Sequence, residues 1–145
     1  MEQKQVNISV KKIKELEFII NEAVNLTNPN SFSIGFELTI NIVLDEKSVE
    51  MIFSAIFSDE SQGNVFMRIK TSNIFLLLEL DDFHKHANTE FNIPNNVLVT
   101  FLSLSISHTR ALLAKNAIGT KFSDLYIPIV NPTEVLNQLL GKHQS

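Results

Sequence analysis

The sequence contains no cysteine and no tryptophan, and its 145 residues include only four glycines and four prolines. Without cysteine there is no disulfide scaffold, no thiolate zinc site and no cysteine nucleophile, which fits a reducing cytosol. So few glycines and prolines exclude collagen-like and low-complexity classes. Charge is scarce too: 19% of residues are charged, against a typical ~25%. Twelve basic residues stand against sixteen acidic ones, for a net charge of −4, whereas a nucleic-acid binder usually shows a basic surplus. Met1-Glu2-Gln3-Lys4-Gln5 lacks the apolar stretch of a signal peptide. No apolar run reaches the ~18 residues of a membrane span. No nucleotide loop, dinucleotide fingerprint or nucleophile elbow occurs, so nothing supports an enzyme. The expectation is a cytoplasmic, non-enzymatic protein without cofactor or metal, binding neither nucleic acid nor membrane.

What is present is apolar. Hydrophobic residues make up 44% of the chain, eleven of them phenylalanine, and mean hydropathy is slightly positive, +0.10. The length suits one domain, residues 1–145, with arms of about 1–9 and 142–145 expected to be flexible. A small domain with so little charge has more apolar surface than one core needs. Oligomerisation or an apolar binding site would absorb it.

The first half of the chain reads as strands. Phe36, Leu38, Ile40, Ile42 and Leu44 alternate with Glu37, Thr39, Asn41 and Val43, the period-two pattern of a strand with one buried face. Asp45 to Ser48 is a polar turn, Val49 to Ser58 a second strand, and Asp59 to Asn64 another turn. A third strand runs from Val65 towards Leu80, and Thr71-Ser72-Asn73 interrupts its alternation as a bulge would. A weaker strand precedes them between Val6 and Ala23. Asn25 to Ser33 is too long for a tight hairpin, so the strand order need not be a simple meander. Asp81 to Phe91 is a charged loop with His84 and His86. That His-x-His could share a metal, yet a solvated loop is the simpler reading.

The pattern then changes. Pro94 to Ile118 has no internal proline or glycine. Pro94 suits the first helical turn and Gly119 the end. From Pro94 to Thr109 no residue carries a formal charge, and apolar side chains point in every direction. A helix apolar all round is buried on all sides, and a four-stranded sheet covers only one. A second copy of the chain would cover the other, the alternative being the chain's own remaining loops and terminal helix. Leu98, Phe101, Leu102, Ser105 and His108 are the expected interface, the small serines allowing close approach. His108 and Arg110, inside this helix, need hydrogen-bond partners, expected across that interface. Asn131-Pro132-Thr133-Glu134 reads as the cap and first turn of a final helix ending near Gly141. The fold class is therefore α+β: a four-stranded antiparallel sheet, a long buried helix and a short C-terminal helix.

This order of elements resembles the SecB protein-export chaperone family. Ser72-Asn73-Ile74-Phe75 is similar to the small-Gly-hydrophobic-Phe run of the family's last strand. Arg110 stands where the family has Ala-Arg-Glu, and Gly119-Thr120 matches the Gly-Thr after the long helix. Pro128-Ile129-Val130-Asn131 resembles the Pro-Val-Asn before the last helix, and Glu22-Ala23 the Glu-Ala ending the first strand. The departures are Ile106-Ser107-His108-Thr109 for Leu-Phe-Pro-Tyr, Ala111 for the glutamate, and Asn73 for the glycine. The resemblance spans roughly residues 10 to 140 and implies a divergent member. It implies a homotetramer, a dimer of dimers, that holds unfolded or preprotein clients in apolar grooves. The groove residues it points to are Phe32, Phe36, Leu38, Ile40, Ile74, Phe75, Leu136, Leu139 and Leu140. Phe36, Leu38 and Ile40 also fit plain core positions under the helix. It further implies docking to a SecA-type motor through acidic residues of the wet sheet face, for which Glu17, Glu22, Glu37 and Glu50 are the candidates. A solvated strand face would look the same. Relatives of this fold also serve as dedicated chaperones of toxin–antitoxin systems. A hot-dog thioesterase or small-molecule pocket is the rival from another class, but there the central helix comes earlier in the chain. A non-enzymatic interaction module is the last alternative.

Overall fold

Alternation of apolar and polar side chains makes the first half of the chain a sheet. The computed structural model describes residues 6–28, 30–83 and 92–141. Its strands are β1 (Ile8–Ile20), β2 (Phe32–Val43), β3 (Ser48–Asp59) and β4 (Val65–Leu77). They pair antiparallel in the order β1-β4-β3-β2. β2, β3 and β4 form a meander, and the long β1–β2 connection carries the chain across so that β1 lies beyond β4. The β2–β3 turn places Lys47 in the left-handed region, φ 52°. The β3–β4 turn is organised by Asp59, whose carboxylate accepts hydrogen bonds from the Ser61 hydroxyl and the Gln62 and Asn64 amides. Gly63, at φ 72°, supplies the positive φ there.

Val49, Met51, Phe53, Ala55 and Phe57 form the centre of the core, each fully buried. Helix α1 (Asn95–Asn116) crosses this face and α2 (Pro132–Gly141) packs beside it. Val97, Phe101, Ser105 or Ile106, Thr109 and Leu113 recur at helical spacing and are buried, with Phe101 stacked on Phe75 at 4.4 Å between ring centroids. Each such apolar side chain contributes roughly 1.5–3 kcal/mol. Pro94 sits outside the first turn, at the cap position with φ −56° and ψ 143°, its carbonyl accepting from Val97 and Leu98. Gly119, at φ 83°, follows the helix end. The Asn131 side chain accepts from the Thr133 and Glu134 amides and caps α2, as its sequence position predicts.

Four expectations change. β2 begins at Phe32, four residues early. No bulge interrupts Thr71–Asn73; the irregularities lie in β1, between Val10 and Lys12 and between Glu15 and Glu17, and in β4 at Phe66, which is skipped where Phe57 and Ser58 pair with Met67 and Val65. Ile8 and Ser9 are not a loose arm: they pair with Leu77 and Leu76, and Asn7 is bonded to Glu79 through both its amides. Finally, α1 is long and apolar enough to cross a membrane by length and composition, yet it is not apolar all round. Thr100, Ser103, Ser107 and Ala111 form one exposed row, while the opposite side lies on the chain's own sheet.

Candidate functional site

α1 crosses β3 and β4, which leaves the edge strand β2 partly uncovered. Phe32, Ile34, Phe36, Leu38 and Ile40 point to the helix side of the sheet, opposite the core residues of β3, and all are half-buried. α2 borders this strip with Leu139 and Leu140, also half-buried. Aromatic rings form the floor. Phe36 stacks on Phe53 at 5.4 Å and Phe32 on Phe57 at 5.9 Å. Phe66 meets Phe32 edge-on at 6.3 Å and lies 4.5 Å from Phe122. Phe122 opens into a groove of about 400 Å³ bounded by Leu26 and its neighbours in the β1–β2 connection and by Leu125. Lys121 ties the two walls together. Its amide donates to the Glu22 carboxylate, and its ammonium to the Glu22 carbonyl and Asn25 Oδ1.

Six of the nine predicted groove residues therefore share this strip: Phe32, Phe36, Leu38, Ile40, Leu139 and Leu140. Phe75 and Leu136 do not line it, since they are 1% and 0% exposed beneath the helices. Ile74 pairs with Glu50 and faces the opposite side of the sheet. Sequence reasoning missed Ile34, Leu26, Phe122 and Leu125. Ile34 continues the period of β2 by one step and could have been found that way. The others sit in irregular connections, which carry no periodicity.

The interface residues also need correction. Phe101, Leu102 and Ser105 are fully buried against the chain's own sheet, so they cannot meet a partner. Leu98 and His108 are half-buried. His108 and Arg110 find their partners within the chain. Arg110 donates from its guanidinium to the Ile127 and Pro128 carbonyls, both at 2.8 Å, and clamps the extended segment to α1. His108 Nδ1 lies 2.9 Å from Asn73 Oδ1. The Asn73 amide nitrogen already donates to the Met51 carbonyl and Thr71 Oγ1, so its oxygen accepts and His108 Nδ1 carries the proton. Burial pushes the His108 pKa below the ordinary histidine value. Thr71 Oγ1 meets Thr109 Oγ1 at 2.8 Å, and the Thr109 hydroxyl donates to the Ser105 carbonyl. A polar chain thus threads from β3 to α1 with each buried group satisfied.

The four expected carboxylates do not form one acidic patch. Glu17 pairs with Arg68 at 3.4 Å. Glu50 accepts from Ser72 and Asn41, which hold its carboxyl below the usual range. Glu37 lies on the same face, opposite Ser54, while Glu22 belongs to the β1–β2 connection. Among the described residues no cluster of three or more histidine or carboxylate side chains could hold a metal; His84 and His86 lie outside them.

Sheet order, the long helix laid across it and the C-terminal helix define a SecB-like α+β fold. A solved structure with this fold is the SecB-like chaperone Rv1957 of Mycobacterium tuberculosis, in complex with a ChAD peptide from the Rv1956 HigA1 antitoxin. It is similar with a TM-score of 0.54 and 11% sequence identity, over 85% of this chain and 89% of that one. No family model and no curated protein sequence matches this chain.

Proposed function

We propose that the chain is a non-enzymatic, ATP-independent chaperone, a holdase that binds unfolded polypeptides on the β2–α2 strip. The carrying observation is that strip: a row of large apolar side chains, half-buried over an aromatic floor and continuous with the groove at Phe122. Soluble monomers rarely leave such contiguous apolar area without a use. An extended client segment would lay alternate side chains into it. The reading includes a cytoplasmic location and a homotetramer, with the exposed small-residue row of α1 as the contact between copies. Delivery to a SecA-type export motor rests on the family resemblance alone; of the four expected carboxylates only Glu37 and Glu50 share the β2–β3 half of the wet face, with Glu17 paired to Arg68 and Glu22 in the β1–β2 connection.

The test is suppression of aggregation of a chemically denatured client at equal molar ratio. Leu38→Asp and Leu139→Asp should abolish suppression while the melting temperature and particle mass are retained; both side chains are half-buried, so charge at either enters the strip without opening the core. No suppression by the parent chain with any of several clients would sink the reading. A second reading is a dedicated antitoxin chaperone, favoured by the antitoxin peptide bound to the similar Rv1957. It predicts tight binding of one peptide from a neighbouring gene product and weak binding of unrelated unfolded chains.

A further inference from the structure

The sheet face turned away from α1 is divided by charge. Register places Lys12, Lys14 and Glu17 of β1 opposite Ile74, Ser72 and Lys70 of β4. Residues paired across antiparallel strands share a face. Thr71 and Asn73 point to α1, so these intervening positions point outward, and Arg68 with them. The β1–β4 half of the outer face thus carries Lys12, Lys14, Arg68 and Lys70 against Glu17, with the Glu50 carboxylate of β3 reaching its border at Ser72, within the field of Lys14. The β2–β3 half carries Glu37 and Glu50 and no cation. Glu17 is taken by Arg68. Among the described residues no carboxylate lies within ion-pair distance of Lys12, Lys14 or Lys70. A positive half-face in a chain of net charge −4 is a local field opposed to the rest of the molecule. Ile74, half-buried, pairs with Lys12, and Leu76, also half-buried, is the next outward position of β4 beyond it. Mixed cationic and apolar positions fit a protein segment. A phosphate backbone would be repelled by the chain as a whole and would leave the isoleucine and leucine unused.

We propose that the β1–β4 half of the outer sheet face docks an acidic, leucine-bearing polypeptide segment. The partner's carboxylates meet Lys12, Lys14 and Lys70, and its apolar side chains cover Ile74 and Leu76. This surface is on the opposite side of the sheet from the client strip and stands whether or not the strip binds clients. Its sign is the reverse of the acidic docking face for which Glu17, Glu22, Glu37 and Glu50 are the candidates.

The experiment is fluorescence anisotropy with a labelled peptide repeating Glu-Glu-Leu-Leu. In an extended chain that repeat presents both residue types on each face. The parent chain should bind it, and affinity should fall at least about tenfold between low and high salt, as for exposed charge pairs. Lys12→Glu with Lys14→Glu should weaken binding about tenfold or more. Both positions are exposed, and a melting curve confirms that the doubly substituted chain folds. Glu37→Gln should leave binding unchanged, and the salt-dependent component of binding should survive in Leu139→Asp, which separates this surface from the groove. Equal or tighter binding of a Lys-Lys-Leu-Leu peptide or of an oligothymidylate would overturn the proposal. So would a double charge reversal without effect, or loss of the salt-dependent component of binding with Leu139→Asp.

Discussion

Thr71 and Asn73 show what a single residue can hide. In the sequence they break an apolar alternation and read as a bulge. In the structure the alternation continues, and their side chains point into the core beneath α1. The polar groups are tolerated because Thr109 and His108, 38 and 35 residues away, meet them there. Nothing local in the sequence announces that meeting, since a hydrogen bond across a core depends on how two elements dock. The neutral state of His108 makes the network sensitive to pH. Its folded pKa is lowered by burial, so at mildly acidic pH the unfolded chain binds a proton that the folded chain resists. Its contribution is complete above the unfolded value of about 6.5 and is lost as pH falls from there through the lowered folded value. The denaturation midpoint should drop between pH 7.5 and pH 5.5. His108→Gln, which can still donate to Asn73 Oδ1, should show a flatter dependence over that window. An unchanged slope would place the pH sensitivity elsewhere.

The elements differ in how far they can be read. β2 alternates cleanly, and β3 keeps a strict buried face although Ile52 and Ile56 make its other face mixed, so their inward faces and their hairpin follow from pattern alone. β1 does not alternate cleanly, because two irregularities reset its phase: Leu16 falls at the second and is 48% exposed instead of joining Phe18 and Ile20 in the core. α1 misleads in another way. Its serines count as interruptions of an apolar helix, yet Ser103 and Ser107 form one exposed row while Ser105 is buried and bonded to the Phe101 carbonyl. A formal charge count cannot separate those two situations. Arg110 is the clearest structural tie between elements, since its guanidinium is the donor for two carbonyls of the segment joining α1 to α2. Replacing it with methionine keeps the stem and removes both charged hydrogen bonds, each worth about 1.5–3 kcal/mol. Arg110→Met should raise amide hydrogen exchange from Lys121 to Val130 and in α2 while the sheet stays protected. Uniform loss of protection would instead mean that Arg110 supports the whole fold.

At the scale of the molecule, scarcity of charge has a spatial explanation. Much of the apolar excess is internal, in the sheet and the inner side of α1. What remains outside falls mainly in three places: the half-buried β2–α2 strip, the edge strand β1 with Val10, Ile13, Leu16 and Ile19 exposed, and Ile118, Tyr126 and Ile129 near the end of α1 and the segment clamped to it. Ser103 and Ser107 of the exposed Thr100, Ser103, Ser107 and Ala111 row line one groove with Ile129, and small side chains let two helix axes approach to about 8 Å. Two copies meeting there would shield Ile129 and leave the β2 strip open, so assembly and client binding do not compete for one surface. That contact alone makes a dimer, and the proposed dimer of dimers needs a second one; light scattering of the tetramer should report four times the 16.4 kDa chain mass. Ser107→Arg, an exposed position in mid-helix, should reduce that mass at least twofold with the helical circular-dichroism signal intact. A parent particle of 16.4 kDa would remove the tetramer from the proposed function, and the open strip would then have to hold clients as a single chain.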